Sequence, residues 1–279
     1  MPEGPEIRRM VDDIAGAIVT RDAKKVFFAF DRFKGYESAL AGRRVTAVSA
    51  RGKAVLVFFA ARGDDGPWCV YSHNQLYGKW RITPADREPE TKRQLRFAVF
   101  TRDQAARLYS ASDIRLVRPD ALDDVPYLAH LGPDPLNEDI AAGDLIDRLN
   151  DTRLAGRALG GLLLDQRFIA GIGNYLRSEI LFEAGIAPKT RPKNLDDDAK
   201  QRLVEAIVRL IRRAYETKGI TNPPDRAQRL KDEGLSFGKR RHMVFGRAGR
   251  SCYDCNSEII KTTVASRRLY YCPRCQPTD

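Results

Sequence analysis

Apolar side chains at Ile7, Met10, Val11, Ile14 and Ile18 recur at helical spacing, so residues 5–19 are expected to form an amphipathic helix. The pattern then changes. Short β-rich runs at 25–30, 44–49, 54–60, 68–72, 79–82, 95–100, 107–110 and 114–117 alternate with polar turns, which predicts a sandwich or a barrel. Leu131-Gly132-Pro133-Asp134-Pro135 reads as a linker. Beyond it the pattern is helical, over 144–150, 162–168, 175–183 and most clearly 200–216. In the last of these Leu203, Val204, Ile207, Leu210, Ile211 and Tyr215 share one face. Residues 217–239 are rich in Gly, Pro and charge, lack a period, and are expected to be a mobile loop.

Four of the five cysteines close the chain as Cys252-x2-Cys255 and Cys272-x2-Cys275. Each C-x2-C turn brings two thiolates to one side of a metal, and two turns complete a tetrahedron. Four protein ligands leave no open position, so the expected cofactor is one structural Zn2+ rather than a catalytic metal. The runs Ile259-Ile260-Lys261-Thr262-Thr263-Val264 and Leu269-Tyr270-Tyr271 flank a short polar turn and predict a hairpin with Arg267 and Arg268 at its tip. Cys69 stands alone in an apolar stretch and reads as a small packed hydrophobe.

Charge narrows the function. Lys and Arg outnumber Asp and Glu by 48 to 37, a net +11 over 279 residues, and 237–268 alone carries eight basic and two acidic residues. A polyanion, most commonly nucleic acid, is the partner such an excess suggests. The longest apolar run, 54–61, is far short of the ~18 residues needed to cross a bilayer. The opening Met1-Pro2-Glu3-Gly4-Pro5-Glu6 does not have the basic-then-apolar form of a secretory signal. A cytoplasmic chain without a membrane partner is expected.

Several short motifs could carry chemistry. Removal of Met1 would expose the secondary amine of Pro2, and an α-amino group is far more often unprotonated at neutral pH than a lysine. Attack on a sugar's anomeric carbon would give a cationic iminium that acidifies the neighbouring carbon, while Glu3 could protonate the ring oxygen. Alternatively, proline merely stiffens the terminus and Glu3 is solvated. Arg51-Gly52-Lys53 lies between two strands and either presents Lys53 at a rim or forms an ordinary hairpin turn. In His73-Asn74-Gln75-Leu76-Tyr77-Gly78, the leucine and tyrosine belong either to the core or to an exposed triplet suited to entering a base stack. In Gly171-Ile172-Gly173-Asn174, Asn174 is expected to cap the next helix. That helix's amino end, whose first amides lack intrahelical partners, is a natural phosphate site.

Taken together, these residues resemble the formamidopyrimidine-DNA glycosylase/endonuclease VIII family. The opening Met-Pro-Glu-Gly-Pro-Glu-Ile-Arg-Arg, Arg51-Gly52-Lys53, the Gly171-Ile172-Gly173-Asn174 turn and the four-cysteine tail follow in the family's order, covering nearly the whole chain. Gly4, Tyr71-Ser72-His73-Asn74-Gln75-Leu76-Tyr77-Gly78, Tyr109-Ser110-Ala111-Ser112-Asp113-Ile114 and Leu162-Leu163-Leu164-Asp165-Gln166 look most like its endonuclease VIII branch. The resemblance implies an α+β fold. A β-sandwich with a leading helix would occupy 2–130, a helix–two-turn–helix domain 131–240, and a zinc-finger β-hairpin 241–279.

It also implies a bifunctional repair glycosylase that excises oxidised pyrimidines from damaged double-stranded DNA and acts as a monomer. Pro2 would be the Schiff-base nucleophile and Glu3 the general acid. Lys53 would donate the proton for β-elimination and Arg267 for δ-elimination. Asn174 and Arg267 would grip phosphates around the flipped nucleotide, and Gln75, Leu76 and Tyr77 would fill the vacated space. Where bacterial members have a DNA-contacting arginine, this chain has His130, which still offers an N–H to phosphate. Two other readings are a glycosylase for oxidised purines, against which the contiguous triplet argues, and a non-enzymatic zinc-finger damage-binding protein.

Overall fold

The computed structural model describes residues 2–137 and 140–277. The chain divides into two compact units, one of Met1–Pro2 and Glu6–His130, the other of Glu3–Pro5 and Leu131–Asp279.

In the first unit α1 (Gly4–Ile18) supplies Ile7, Val11, Ile14 and Ile18, all buried, as the sequence period requires. Then follow β1 (Lys25–Phe28), the short α2 (Tyr36–Leu40), β2 (Val45–Arg51), β3 (Ala54–Phe59), β4 (Trp68–His73), β5 (Lys79–Pro84), β6 (Leu95–Phe100), β7 (Gln104–Tyr109) and β8 (Asp113–Val117). They form two four-stranded antiparallel sheets, ordered β1-β6-β7-β5 and β2-β3-β4-β8. Val26, Phe28 and Phe97 of one sheet and Val55, Val57 and Val70 of the other share a single apolar core with α1. Of the two expected architectures, a sandwich and a barrel, the chain adopts the sandwich, because two separate sheets bury their alternate residues against each other. Cys69 is fully buried in β4, and burial pushes its thiol up to about 12.

The second unit is helical: α3 (Ala142–Asn150), α4 (Leu159–Leu162), α5 (Asn174–Glu183), α6 (Asp197–Glu216), α7 (Pro224–Asp232) and α8 (Phe237–Arg240), then β9 (Ile260–Val264) and β10 (Arg267–Tyr271). Asp196 caps α6 by accepting from the Ala199 amide at 2.7 Å. The core includes Leu203, Ile207 and Leu210 from α6 together with Ile259, Leu269 and Tyr270 from the hairpin.

Two expectations fail here. The helix expected over 162–168 ends at Leu162. Asp165 takes the Arg167 amide at 3.0 Å, and Gln166 donates to the carbonyls of Leu164 and Ile172 at 2.9 Å each. Polar side chains that bond nearby backbone draw it out of the helix. The expected mobile loop over 217–239 instead contains α7 and α8. Pro224 sits in the first turn of α7, where proline is tolerated, and only Ala227 and Leu230 are buried. A two-residue apolar face is too narrow to register as a period.

Candidate functional site

Glu3 is buried, 4% exposed, and its carboxylate sits on the amino end of α5. Oε2 accepts from Gly173 N at 2.8 Å and Leu176 N at 3.2 Å, and Oε1 accepts from Tyr175 N at 2.9 Å. This corrects the expected cap. Asn174 is the first residue inside the helix and Gly173 is the N-cap, with no side-chain bond of its own. Glu3, 170 residues away, supplies the missing acceptor. The amides expected to receive a phosphate are therefore occupied by a carboxylate.

The approach explains the glycines. A Cβ on Gly173 would lie 2.3 Å from Glu3 Cδ. Gly4 donates its amide to Gly171 O at 2.8 Å, and a Cβ on Gly4 would lie 3.0 Å from Gly171 Cα. Gly171 itself has φ +88°, a conformation glycine adopts without penalty. Gln166 Oε1 accepts from Gly171 N at 3.1 Å and so holds the same turn. Glu3 and Gly4 of the opening and the Gly-Ile-Gly-Asn turn, read separately in the sequence, thus meet in the second unit.

Lys53 lies in the β2–β3 turn and is 9% exposed. Its amide donates to the Tyr127 hydroxyl at 2.9 Å. Tyr127 packs edge-on against His73, with ring centroids 4.8 Å apart. His73 Nδ1 accepts from Gln75 N at 3.0 Å. The Gln75 loop is closed by Gly78 N donating to Asn74 O at 2.7 Å, and a Cβ on Gly78 would lie 2.6 Å from Asn74 Cα. Closure at its base turns the next three side chains outward. Gln75 is exposed at φ 50°, and Leu76 and Tyr77 are 63% and 70% exposed. They are not core residues. Ser112 Oγ donates to Gln75 Oε1 at 2.9 Å. Pro2 is half-buried and His130 is exposed at the end of the first unit.

The four cysteines converge. Their Sγ atoms all lie within 4.8 Å of one another, with Cys252 and Cys275 at 3.8 Å and Cys255 and Cys272 at 3.3 Å. Metal–sulfur bonds of about 2.3 Å in a tetrahedron require sulfurs about 3.8 Å apart, so this donor set fits a metal ion. The hairpin turn is Ala265-Ser266, with Val264 opposite Arg267, and Arg267 is exposed.

The sequence did not single out Tyr127, the tie between His73 and Gln75, or two buried charges on α5. Glu179 takes the amides of Met243, Val244 and Phe245 at 2.7, 2.9 and 2.8 Å and the Thr221 hydroxyl, anchoring the loop after α8. Arg177 is fully buried beneath the hairpin. Charged residues on a periodic helix read as solvated, so no local signal marked either.

Two outcomes follow. Gly173→Ala should lower unfolding free energy by about 1–2 kcal/mol, the scale of a lost cap. Glu3→Ala should cost a similar amount, and the double variant less than the sum, measured by urea titration. Burial and Lys53 hold the His73 pKa below its usual 6.5, with Asp113 opposing. Nδ1 accepts the Gln75 amide only while the ring is neutral. This contribution is therefore complete above pH 6.5 and is lost as pH falls through the lowered value. The difference in melting temperature between wild type and His73→Phe should shrink from pH 7 to pH 4.5.

The geometry can be set beside known proteins. Residues 1–116 match the formamidopyrimidine-DNA glycosylase N-terminal domain and residues 131–224 the formamidopyrimidine-DNA glycosylase H2TH domain. Over 276 residues the chain is 41% identical to endonuclease 8 of Pectobacterium carotovorum and 42% identical to endonuclease 8 of Escherichia coli, spanning 99% of this chain and 100% of each relative. Its fold is similar to that of Lactococcus lactis Fpg solved with DNA containing an abasic site, with TM-score 0.78 and 23% identity over 99% of this chain and 100% of that one. With both domains matched in order and about two-fifths identity along its whole length, the chain belongs to the formamidopyrimidine-DNA glycosylase/endonuclease VIII family of base-excision-repair enzymes.

Proposed function

We propose that the protein is a bifunctional DNA glycosylase and abasic-site lyase that removes oxidised pyrimidines from damaged duplex DNA, acting as a monomer through the amine of Pro2. The observation that carries this reading is the Glu3 carboxylate held by three backbone amides. It fixes an acid–base group at the residue next to the nucleophile.

Removal of Met1 leaves Pro2 as a secondary amine. Its lone pair attacks C1′ and the damaged base departs with the glycosidic electrons. The proton lost from nitrogen passes to the Glu3 carboxylate, which then donates it to the sugar ring oxygen and returns to its resting form. The iminium cannot be neutralised by losing an N–H proton, so it acidifies C2′. Loss of a C2′ proton expels the 3′ phosphate, with Lys53 supplying the proton needed in β-elimination. Arg267 assists departure of the 5′ phosphate. Elimination on both sides leaves a one-nucleotide gap with phosphate ends.

Asn174, Arg267 and His130 bind phosphates around the flipped nucleotide. Gln75, Leu76 and Tyr77 occupy the space it vacates, a role supported by the exposure of the last two. Flipping costs a few kcal/mol of lost pairing and stacking, least at a damaged base. The metal is one Zn2+ on Cys252, Cys255, Cys272 and Cys275. It braces the hairpin and takes no part in bond making. The net charge of +11 draws the protein to DNA by phosphate contacts and makes binding salt-sensitive.

Borohydride should trap the wild-type protein on duplex DNA carrying thymine glycol or 5-hydroxycytosine. Pro2→Gly, which exchanges the secondary amine for a primary one, should lower the yield well below that of the wild type. Equal trapping by Pro2→Gly, or an N-terminus retaining Met1 by mass spectrometry, would refute the mechanism. Preferential excision of 8-oxoguanine opposite cytosine would instead favour an oxidised-purine enzyme.

A further inference from the structure

Arg177 is the bulkiest fully buried side chain among the described residues, at 0% exposure. Its guanidinium donates to four backbone carbonyls. Nη1 reaches Gly160 O at 2.6 Å and Val264 O at 3.2 Å, and Nη2 reaches Arg267 O at 3.0 Å and Arg268 O at 3.1 Å. Three of these acceptors flank one tight turn. At its centre, Ala265 and Ser266 have φ of 51° and 59°, left-handed conformations held without glycine. Such residues cost roughly 1–2 kcal/mol each. The turn is therefore kept in place by what it is bonded to.

The neighbouring residue adds a second tie. Ser178 Oγ accepts from Tyr270 N at 3.2 Å and donates to Asn174 O at 3.0 Å. The backbone of β10 is thus bound to the helix turn that carries Asn174 and receives Glu3. Arg177 is also close enough to sense both Glu3 and Arg267: burial pulls it down to about 10, Glu3 pulls the other way, and Arg267 adds to the fall. It remains cationic at neutral pH. Lysine could supply that charge but not the planar fork that spans four carbonyls.

We infer that Arg177 is a positioning residue for Arg267: its buried fork sets the Ala265-Ser266 turn and thereby the place from which Arg267 acts on phosphate. This rests on the reading of Arg267 as the δ-elimination group given above. The side chain of Arg267 is exposed, so its backbone anchor decides where its guanidinium can reach.

The experiment uses the full zinc-bound protein, duplex DNA with a preformed abasic site, and variants Arg177→Lys, Arg267→Ala and the double variant. Zinc content, melting temperature, borohydride trapping, the ratio of δ- to β-elimination products, and hydrogen exchange at the amides of 264–268 are measured. Arg177→Lys is expected to retain zinc, trap within about threefold of wild type, exchange faster at the turn, and lose about tenfold in the δ-to-β ratio, within the range that small misplacements cost. In the Arg267→Ala background the same change should alter the ratio by less than about twofold. An unchanged ratio in Arg177→Lys, equal losses at every step, additive effects in the double variant, or loss of zinc or fold would each overturn the positioning role. If Arg267→Ala alone leaves δ-elimination intact, the Arg267 assignment fails instead. The hydrogen exchange then decides by itself whether Arg177 holds the turn.

Discussion

The Glu3 carboxylate on the amino end of α5 is the constraint on which the start of that helix and the turn before it depend. An α-helix presents its first amides without intrahelical acceptors, and burying them unsatisfied is costly. Here a side chain from the third residue takes three of them. The demand works in both directions. The helix needs the acceptor, and a buried carboxylate needs donors, so each makes the other tolerable away from water. Gly173 leaves room for the carboxylate, and Gly4 and Gly171 let two backbone segments touch.

Beyond the cap, α5 uses successive charged and polar residues on different neighbours. Arg177 and Ser178 hold the hairpin, and Glu179 holds the segment from Met243 to Phe245. Each is buried and bonds mainly to backbone rather than to an opposite charge. Such bonds fix the course of a chain at several points at once, which apolar contacts with little directional preference do less sharply. His242 lies in the same neighbourhood, tilted against Tyr175 and edge-on to Phe245, and burial pulls its pKa down to about 3. The second unit therefore sets its loops by polar anchoring as much as by its apolar core.

In the first unit the same logic appears on a smaller scale. Tyr127 takes the Lys53 amide and packs on His73, which takes the Gln75 amide. A short chain of contacts thus connects the turn bearing Lys53 with the loop bearing Leu76 and Tyr77. The exposure of two large apolar side chains at that loop is unfavourable for an isolated fold and is consistent with a partner that covers them.

Much of this was legible in sequence because it is local. Short β-rich runs between polar turns located the eight strands of the first unit, a 3.6-residue period located its leading helix, and the cysteine spacing identified the donor set. The free-amine chemistry expected of Pro2 also follows from residue type alone. Local patterns could not tell that Asn174 lies inside its helix, that Leu76 and Tyr77 point outward, that α7 forms on two buried residues, or that Arg177 is interior. Each of these depends on partners distant in sequence. A cap, a loop's exposure and the burial of a charge are settled by which far-off donors, acceptors and apolar surfaces arrive beside them. The chain's own order thus marked the elements of its first unit and the four-cysteine donor set. Only the tertiary structure decided which carboxylate meets which amides and which arginine stands behind the turn.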